Sequence, residues 1–414
     1  MRMANLCAIP RSILLAATAI LLSNGFSAAQ DVPIVIRAGT ILDGKGNALH
    51  NREILIQGGK IQKVAEVAGK VNYDFRKLTV LPGLIDTHVH IAWHFGPDGR
   101  YMPRDASPAS AMGYGLENAY VTLMGGFTTV QSVGSPIDVE IRNAINRGIL
   151  PGARILTSIH GINNPRLSIE ELREAVRKNK ADGADLIKMF AWTGTLQHGG
   201  GNQTLSNGQI AAVCDEAKKN GLRVLVHVYG DEASRVVSEA GCTSVEHGFF
   251  ASDETLRVLA ARGTYYDPHT GLVIQNYLEN KPKFFGIGSY TQEEMDAMEQ
   301  TLPTILATFK RALRVPGLKI VYGTDAVAGA HGRNIEEMIY RVQKGGQEPG
   351  AAIVSATSLA AESLQMADRI GSIAPGMDAD LIAVEGDPLK DITVLRRVVF
   401  VMRSGKVYKN LAGD

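Results

Sequence analysis

Gly83-Leu84-Ile85-Asp86-Thr87-His88-Val89-His90 ends a largely apolar run that starts at Val80 and reads as a buried strand. Side chains along a strand alternate in direction, so His88 and His90 face the same way and can grip one metal ion together. Each buried ring nitrogen needs a partner, and metal ligation by neutral imidazole meets that need. An isolated His-x-His is equally compatible with hydrogen-bonded structural histidines, so its meaning depends on what surrounds it.

Outward from this stretch the hydrophobic period changes twice. Residues 33–80 and the C-terminal piece read as short strands and turns, with Asp43-Gly44, Gly58-Gly59 and Ser404-Gly405 as turn signals. Between them apolar strands alternate with amphipathic helices. The strands are expected at Val80–Thr87, Thr128–Val133, Arg154–Ser158, Asp185–Phe190, Arg223–Val228, Ser244–Gly248, Thr264–Asp267 and Lys319–Gly323. Eight strand–helix units over roughly 250 residues predict an α/β fold, a (β/α)₈ TIM barrel. The competing doubly wound sheet normally carries a glycine-rich nucleotide turn after its first strand, and none is present. Neither flanking piece is large enough for a stable sheet alone. The expected organisation is therefore a barrel over 81–365 and a small composite β-sandwich domain from 30–80 and 366–414.

Residues at the C-terminal ends of barrel strands converge on one mouth. The polar residues there are His88 and His90 on strand one, Lys188 on strand four, His227 on strand five, His247 on strand six and Asp325 after strand eight. They are scattered in sequence yet occupy equivalent places in successive units. Coincidence is a poor account of such a set.

This arrangement resembles the amidohydrolase superfamily, binuclear metal-dependent hydrolases on a (β/α)₈ barrel, and in particular its imidazolonepropionase-like and prolidase-like branch. The lead-in Leu81-Pro82-Gly83-Leu84-Ile85-Asp86, the Gly323-Thr324-Asp325 turn and the tail Gly371-Ser372-Ile373-Ala374-Pro375-Gly376-Met377-Asp378-Ala379-Asp380-Leu381 fit as well. The resemblance implies two divalent metal ions. His88, His90 and Asp325 would hold the first, and His227 and His247 the second. Lys188, carboxylated to a carbamate, would bridge them. Only a neutral amine reacts with CO₂, and burial lowers a lysine pKa. Nitrogen and oxygen ligands without cysteine suit zinc, with manganese, cobalt and iron as alternatives.

The implied chemistry is hydrolysis of an amide or peptide C–N bond by a metal-bridging hydroxide. Asp325 is the expected catalytic residue, passing a proton from the nucleophile to the leaving nitrogen. A dipeptide or N-acyl amino acid is the expected small-molecule substrate. Hydrolysis of cyclic amides, lactones or other esters at the same site is the alternative, and a non-catalytic binding module is the reading from a different class. Four residues near the mouth are candidate substrate contacts: His160, Tyr229, His269 and Arg333. His94 and Trp93 follow the first ligands and can shape the pocket. The Gly194–Ser206 loop is read as a mobile edge with His198 exposed, and Leu272–Glu294 as a lid.

Composition excludes several functions. A formal charge of +1 on 414 residues argues against nucleic-acid partners. Arg2 and Arg11, the apolar run Ile13–Leu22 and Ser27-Ala28-Ala29 read as a signal peptide over 1–29, so an exported, periplasmic or secreted protein is expected. That run is too short to span a bilayer comfortably, so no stable membrane insertion is expected after cleavage. Cys214 and Cys242 remain in the mature chain, and free buried thiols are favoured over a bridge. Barrel enzymes of this kind often form homo-oligomers.

Overall fold

The computed structural model describes residues 32–65, 70–102, 107–193, 196 and 201–413. The expected signal peptide at 1–29 and His198 lie outside the described residues. Fifteen strands are named in chain order among them. The first four are β1 (Ile34–Leu42), β2 (Ala48–Gln57), β3 (Lys60–Ala65) and β4 (Tyr73–Pro82). The next eight are β5 (Leu84–Val89), β6 (Phe127–Ser132), β7 (Arg154–Thr157), β8 (Gly161–Ile162), β9 (Leu186–Phe190), β10 (Arg223–Val228), β11 (Ser244–His247) and β12 (Tyr265–Asp267). The last three are β13 (Leu381–Glu385), β14 (Val398–Arg403) and β15 (Lys406–Asn410).

The two chain ends share one seven-stranded sheet, in the order β15-β14-β13-β4-β1-β2-β3. Its first hairpin turns where Asp43 Oδ1 accepts from the backbone N–H groups of Lys45 and Asn47. Gly44 sits there at φ +83°, and a Cβ would lie 2.4 Å from the Gly371 carbonyl oxygen, so no side chain fits. Alternate residues of the sheet, including Ile36, Ile54, Phe75, Leu381 and Phe400, point into a shared apolar core.

Between these ends the fold is α/β. One parallel sheet runs β12-β11-β10-β9-β8 and another runs β5-β6-β7. Helices pack against them, with Ile187, Val213, Val224, Val237 and Leu256 meeting in one core and Val130, Ala119, Ile145 and Met338 in another. The helices start where the sequence supplies caps. Ser168 with Glu171 and Ser206 with Gln209 each form a reciprocal capping box at Ile169–Ala181 and Asn207–Lys219.

Two expected strands are altered. Val80–Thr87 is not one strand. It breaks at Gly83, with β4 in the mixed sheet and β5 in the parallel one. Pro82 brings no N–H, and a Cβ on Gly83 would strike Thr128 Oγ1 at 2.2 Å, so the chain crosses between sheets there. Lys319–Gly323 is not a named strand, but it is bonded on both sides. Tyr266 donates to the Lys319 carbonyl and Val321 to that of Tyr266, while Thr87 donates to Tyr322 and Asp325 to His88.

The expected free thiols are corrected. Cys214 and Cys242 form a disulfide with Cα atoms 5.1 Å apart. β10 and β11 are direct neighbours in register, so the helix Asn207–Lys219 lies beside the turn that leads into β11. Among the described residues no helix is long and apolar enough to cross a membrane.

Candidate metal centre

The six predicted ligands meet at the C-terminal ends of the parallel strands. His88 is in β5 and His90 follows it directly. Lys188 is in β9, His227 in β10, and His247 closes β11. Asp325 is fixed by its backbone N–H bond to the His88 carbonyl. Asp325 Oδ1 lies 3.2 Å from His90 Nε2 and 3.4 Å from His88 Nε2. Lys188 Nζ is 3.4 Å from His88 Nε2. The His227 and His247 rings sit 4.6 Å apart, centre to centre. All six line one cavity of about 280 Å³.

The backbone is held in uncommon conformations here. His247, His269 and Asp325 have φ of +72°, +44° and +52°. Such residues cost roughly 1–3 kcal/mol each and persist where surrounding structure over-determines them. That surround is visible. Asp86 accepts from the Thr324 hydroxyl at 2.6 Å, from Asn334 Nδ2 at 2.7 Å and from the His88 N–H at 3.1 Å. Asp267 accepts from the Thr87 hydroxyl at 2.5 Å and the Gly323 N–H at 2.8 Å.

The donor set fits divalent cations. Three groups place their ligand atoms within 4.8 Å of one another: His88, His90 and Asp325; His88, Glu246 and His269; His247, His269 and Asp325. His90 Nδ1 and His227 Nε2 are buried with no protein partner among the described residues. Burial, then the Lys188 charge, pushes His88 well below its usual pKa and takes His227 down to about 3. Burial and His269 likewise push His247 well down. Neutral imidazoles are the ligating form. Burial also lowers the Lys188 pKa, against the pull of Glu246, Asp325 and Asp267, and so favours the free amine. Asp325 stays below the usual carboxylate range, because the His90 hydrogen bond and charge outweigh its burial.

One positioning group was not read from the sequence. Glu246 Oε2 accepts from His88 Nδ1 at 2.5 Å, and Glu246 Oε1 accepts from the Ser244 hydroxyl. This bond fixes the tautomer that leaves His88 Nε2 turned toward Asp325 and Lys188. A buried acid beside a ligand, in Val245-Glu246-His247, was the available signal. Glu294, on the cavity wall, was also missed.

The expected substrate contacts separate. Tyr229 lines the cavity, its ring 4.7 Å from His227 and stacked on Phe249 at 5.1 Å. His269 is fully buried behind the ligands, its Nδ1 3.0 Å from His247 Nδ1. Although burial opposes it, Asp267 pushes the His269 pKa up to about 9. His160 is exposed and outside the cavity lining. Arg333 is also outside it, bound to Glu279 Oε2 at 2.8 Å. Trp93 stacks on His90 at 4.2 Å, and His94 on Tyr114 at 4.1 Å. From the expected lid, Tyr277 and Tyr290 line the cavity and share a hydroxyl hydrogen bond of 3.0 Å.

Known proteins share this fold. The ochratoxinase of Aspergillus niger is 26% identical over 428 residues, covering 91% of this chain and 86% of its own. Its crystal structure superposes with a TM-score of 0.77, covering 92% and 96% of the two chains. A Xaa-Pro dipeptidase crystallised with methionine in its active site is 32% identical, with a TM-score of 0.82 and coverage of 92% and 100%. The amidohydrolase family model matches residues 79–408, from β4 into β15, a span that contains all six candidate ligands. By that match, and by the site it encloses, the chain belongs to the amidohydrolase family.

Proposed function

We propose that this protein is an exported, binuclear metal-dependent amidohydrolase that cleaves the C–N bond of a dipeptide or N-acyl amino acid. The observation that carries the reading is the convergence of His88, His90, Lys188, His227, His247 and Asp325 on one cavity. Likeness to a Xaa-Pro dipeptidase supports the substrate class. His88, His90 and Asp325 would hold one zinc ion and His227 and His247 the other, with Lys188 joining them as its carbamate. Such cations lower the pKa of water and polarise a carbonyl.

The chain's own groups do the rest. Asp325, kept ionised beside His90, takes the proton of the attacking water on one carboxylate oxygen and delivers it to the leaving nitrogen. Tyr229 Oη donates to a substrate carbonyl or carboxylate oxygen. Its ring, with Trp93, Phe190 and Phe249, gives the substrate side chain an apolar wall.

The finer architecture belongs to the same reading. The bonds of Lys319–Gly323 to β12 and β5, and of Asp185 to the Thr157 carbonyl, support a closed (β/α)₈ barrel over 81–365. Contacts of Ile61 and Gly59 with Met377 and Ala379 bring the far edge of the end sheet back toward β13 and support a sandwich from 30–80 and 366–414. The disulfide suits an oxidising compartment and supports export.

A panel of Xaa-amino acid dipeptides, N-acyl amino acids and lactones, offered to metal-loaded mature protein, tests the reading. Dipeptides or acyl amino acids should lead in kcat/KM. A clear preference for lactones would overturn the substrate class. Asp325→Asn should lower turnover by about 10²–10⁴-fold with metal content kept.

A further inference from the structure

A second cavity, of about 710 Å³, opens at the opposite end of the parallel strands from the ligands. Arg154, the first residue of β7, and Asp185, just before β9, form one wall. Arg403, Ser404 and Lys406, around the β14–β15 turn, form the other. Five cations line it, with Asp185 the one carboxylate among the described lining.

Three of these cations are matched. Arg142 pairs with Asp185 at 2.6 Å, Arg154 with Asp380 at 2.6 Å, and Arg369 with Asp378 at 3.0 Å. Arg403 and Lys406 have no carboxylate within 4.0 Å among the described residues. Arg403 donates to the Gly152 carbonyl at 2.5 Å and to Tyr408 Oη at 3.4 Å. Lys406 donates to the Gly148 carbonyl at 3.3 Å. Both cations lie against the Tyr408 ring, at 5.5 and 5.3 Å from its centre.

Arg403 is only 8% exposed. A guanidinium so far from water is costly without a counter-charge. Ordinary surface arginines do not meet that penalty. Ser404 Oγ, 3.2 Å from Arg154 Nη2, accepts from that guanidinium and keeps its own proton to donate. The groove thus offers two unmatched positive charges, a hydroxyl and the planar N–H edges of several guanidinium groups. That combination suits a tetrahedral dianion, whose oxygens take paired N–H bonds.

We propose that this groove is an anion site for a phosphate group, free or as a phosphomonoester, held by Arg403, Lys406 and Ser404 at the junction of the end sheet and the parallel sheets. It stands on geometry apart from the metal centre and does not depend on the hydrolase reading.

Calorimetric titration of the intact metal-loaded protein at low ionic strength tests it. The probes are inorganic phosphate, glycerol phosphate and, as a charge control, acetate. Phosphate should bind the wild-type protein at a site whose affinity falls at least about tenfold in Arg403→Gln and in Lys406→Gln. Tighter binding of glycerol phosphate than of phosphate would assign the monoester as the ligand, and equal binding the free anion. Phosphate bound at the metals would give an isotherm that neither variant changes. Lys406 is surface-exposed, so its variant should keep the hydrolase activity and the fold even if Arg403→Gln does not. No phosphate binding, unchanged affinity in Lys406→Gln and Arg403→Gln, or acetate binding as tightly as phosphate would overturn the proposal.

Discussion

Replacing Glu246 by Gln isolates the bond that orients His88. The carboxylate accepts from His88 Nδ1 at 2.5 Å and from the Ser244 hydroxyl, with both partners and Glu246 itself buried. Gln keeps the volume and one acceptor oxygen, so no cavity opens. What disappears is the charge, which burial and then Asp267 confine to pH above about 7, so the comparison is made above that pH. A hydrogen bond to a charged group contributes about 1.5–3 kcal/mol and a neutral one about 0.5–1.5 kcal/mol, so the loss is about 1–2 kcal/mol. At about 1.4 kcal/mol per tenfold, metal affinity should fall by roughly 5–30-fold. That lies within the range of about 10–100-fold, or just below it, for partners of ligating histidines. Equilibrium dialysis against graded chelator, with metal measured by mass spectrometry, reads the affinity. Turnover at saturating metal reads what remains of the geometry. Metal affinity within twofold of wild type, together with unchanged turnover, would refute the claim that Glu246 sets the His88 tautomer.

Four further outcomes are expected. Lys188→Met should fold, since its amine is buried without an ion pair among the described residues, yet lose at least about 100-fold in turnover. Wild-type apoenzyme reconstituted without bicarbonate should recover activity only after bicarbonate is added; equal recovery in both would count against a carbamate. Replacing Cys214 and Cys242 by Ser should destabilise by about 3–4 kcal/mol on the chain-entropy argument for a separation of 28 residues, seen as a lower calorimetric midpoint. His331 donates Nε2 to the His90 carbonyl at 3.1 Å, and burial, then His90, takes its pKa down to about 3. The unfolded chain takes up that proton near pH 6.5, so stability falls as pH drops from about 6.5 toward 3. Urea midpoints at pH 7 and pH 5 should therefore differ less in His331→Asn than in the wild-type protein.

The convergence of the six candidate residues was legible because strand geometry fixes where a side chain points. His88, Lys188, His227 and His247 all sit in strands or at their ends, where sequence position translates directly into direction. Loops carry no such rule. His160 comes three residues after β7 and Arg333 ten after Gly323, and neither side chain lines the cavity. Glu246 was hidden by the same alternation. Regular alternation would turn it away from His247, yet His247 ends the strand at φ +72° and both side chains reach His269, with Glu246 also bound to His88 from a distant strand. The break at Gly83 was hidden because one apolar run serves two sheets in succession. The disulfide depends on the helix Asn207–Lys219 lying beside the turn into β11, which spacing alone does not reveal.

The pairing of β4 with β13 also governs the order of assembly. Val80 finds its partner at Ala383, and the Thr79 hydroxyl reaches the Gly386 carbonyl across 307 residues. A chain emerging from its N-terminus must therefore hold β1 to β4 with one edge unpaired until nearly everything else has been delivered. Contacts so remote close late and slowly. An exposed edge in the meantime invites pairing with another chain. Shortening the protein before β13 would accordingly endanger its first hundred residues as much as its last.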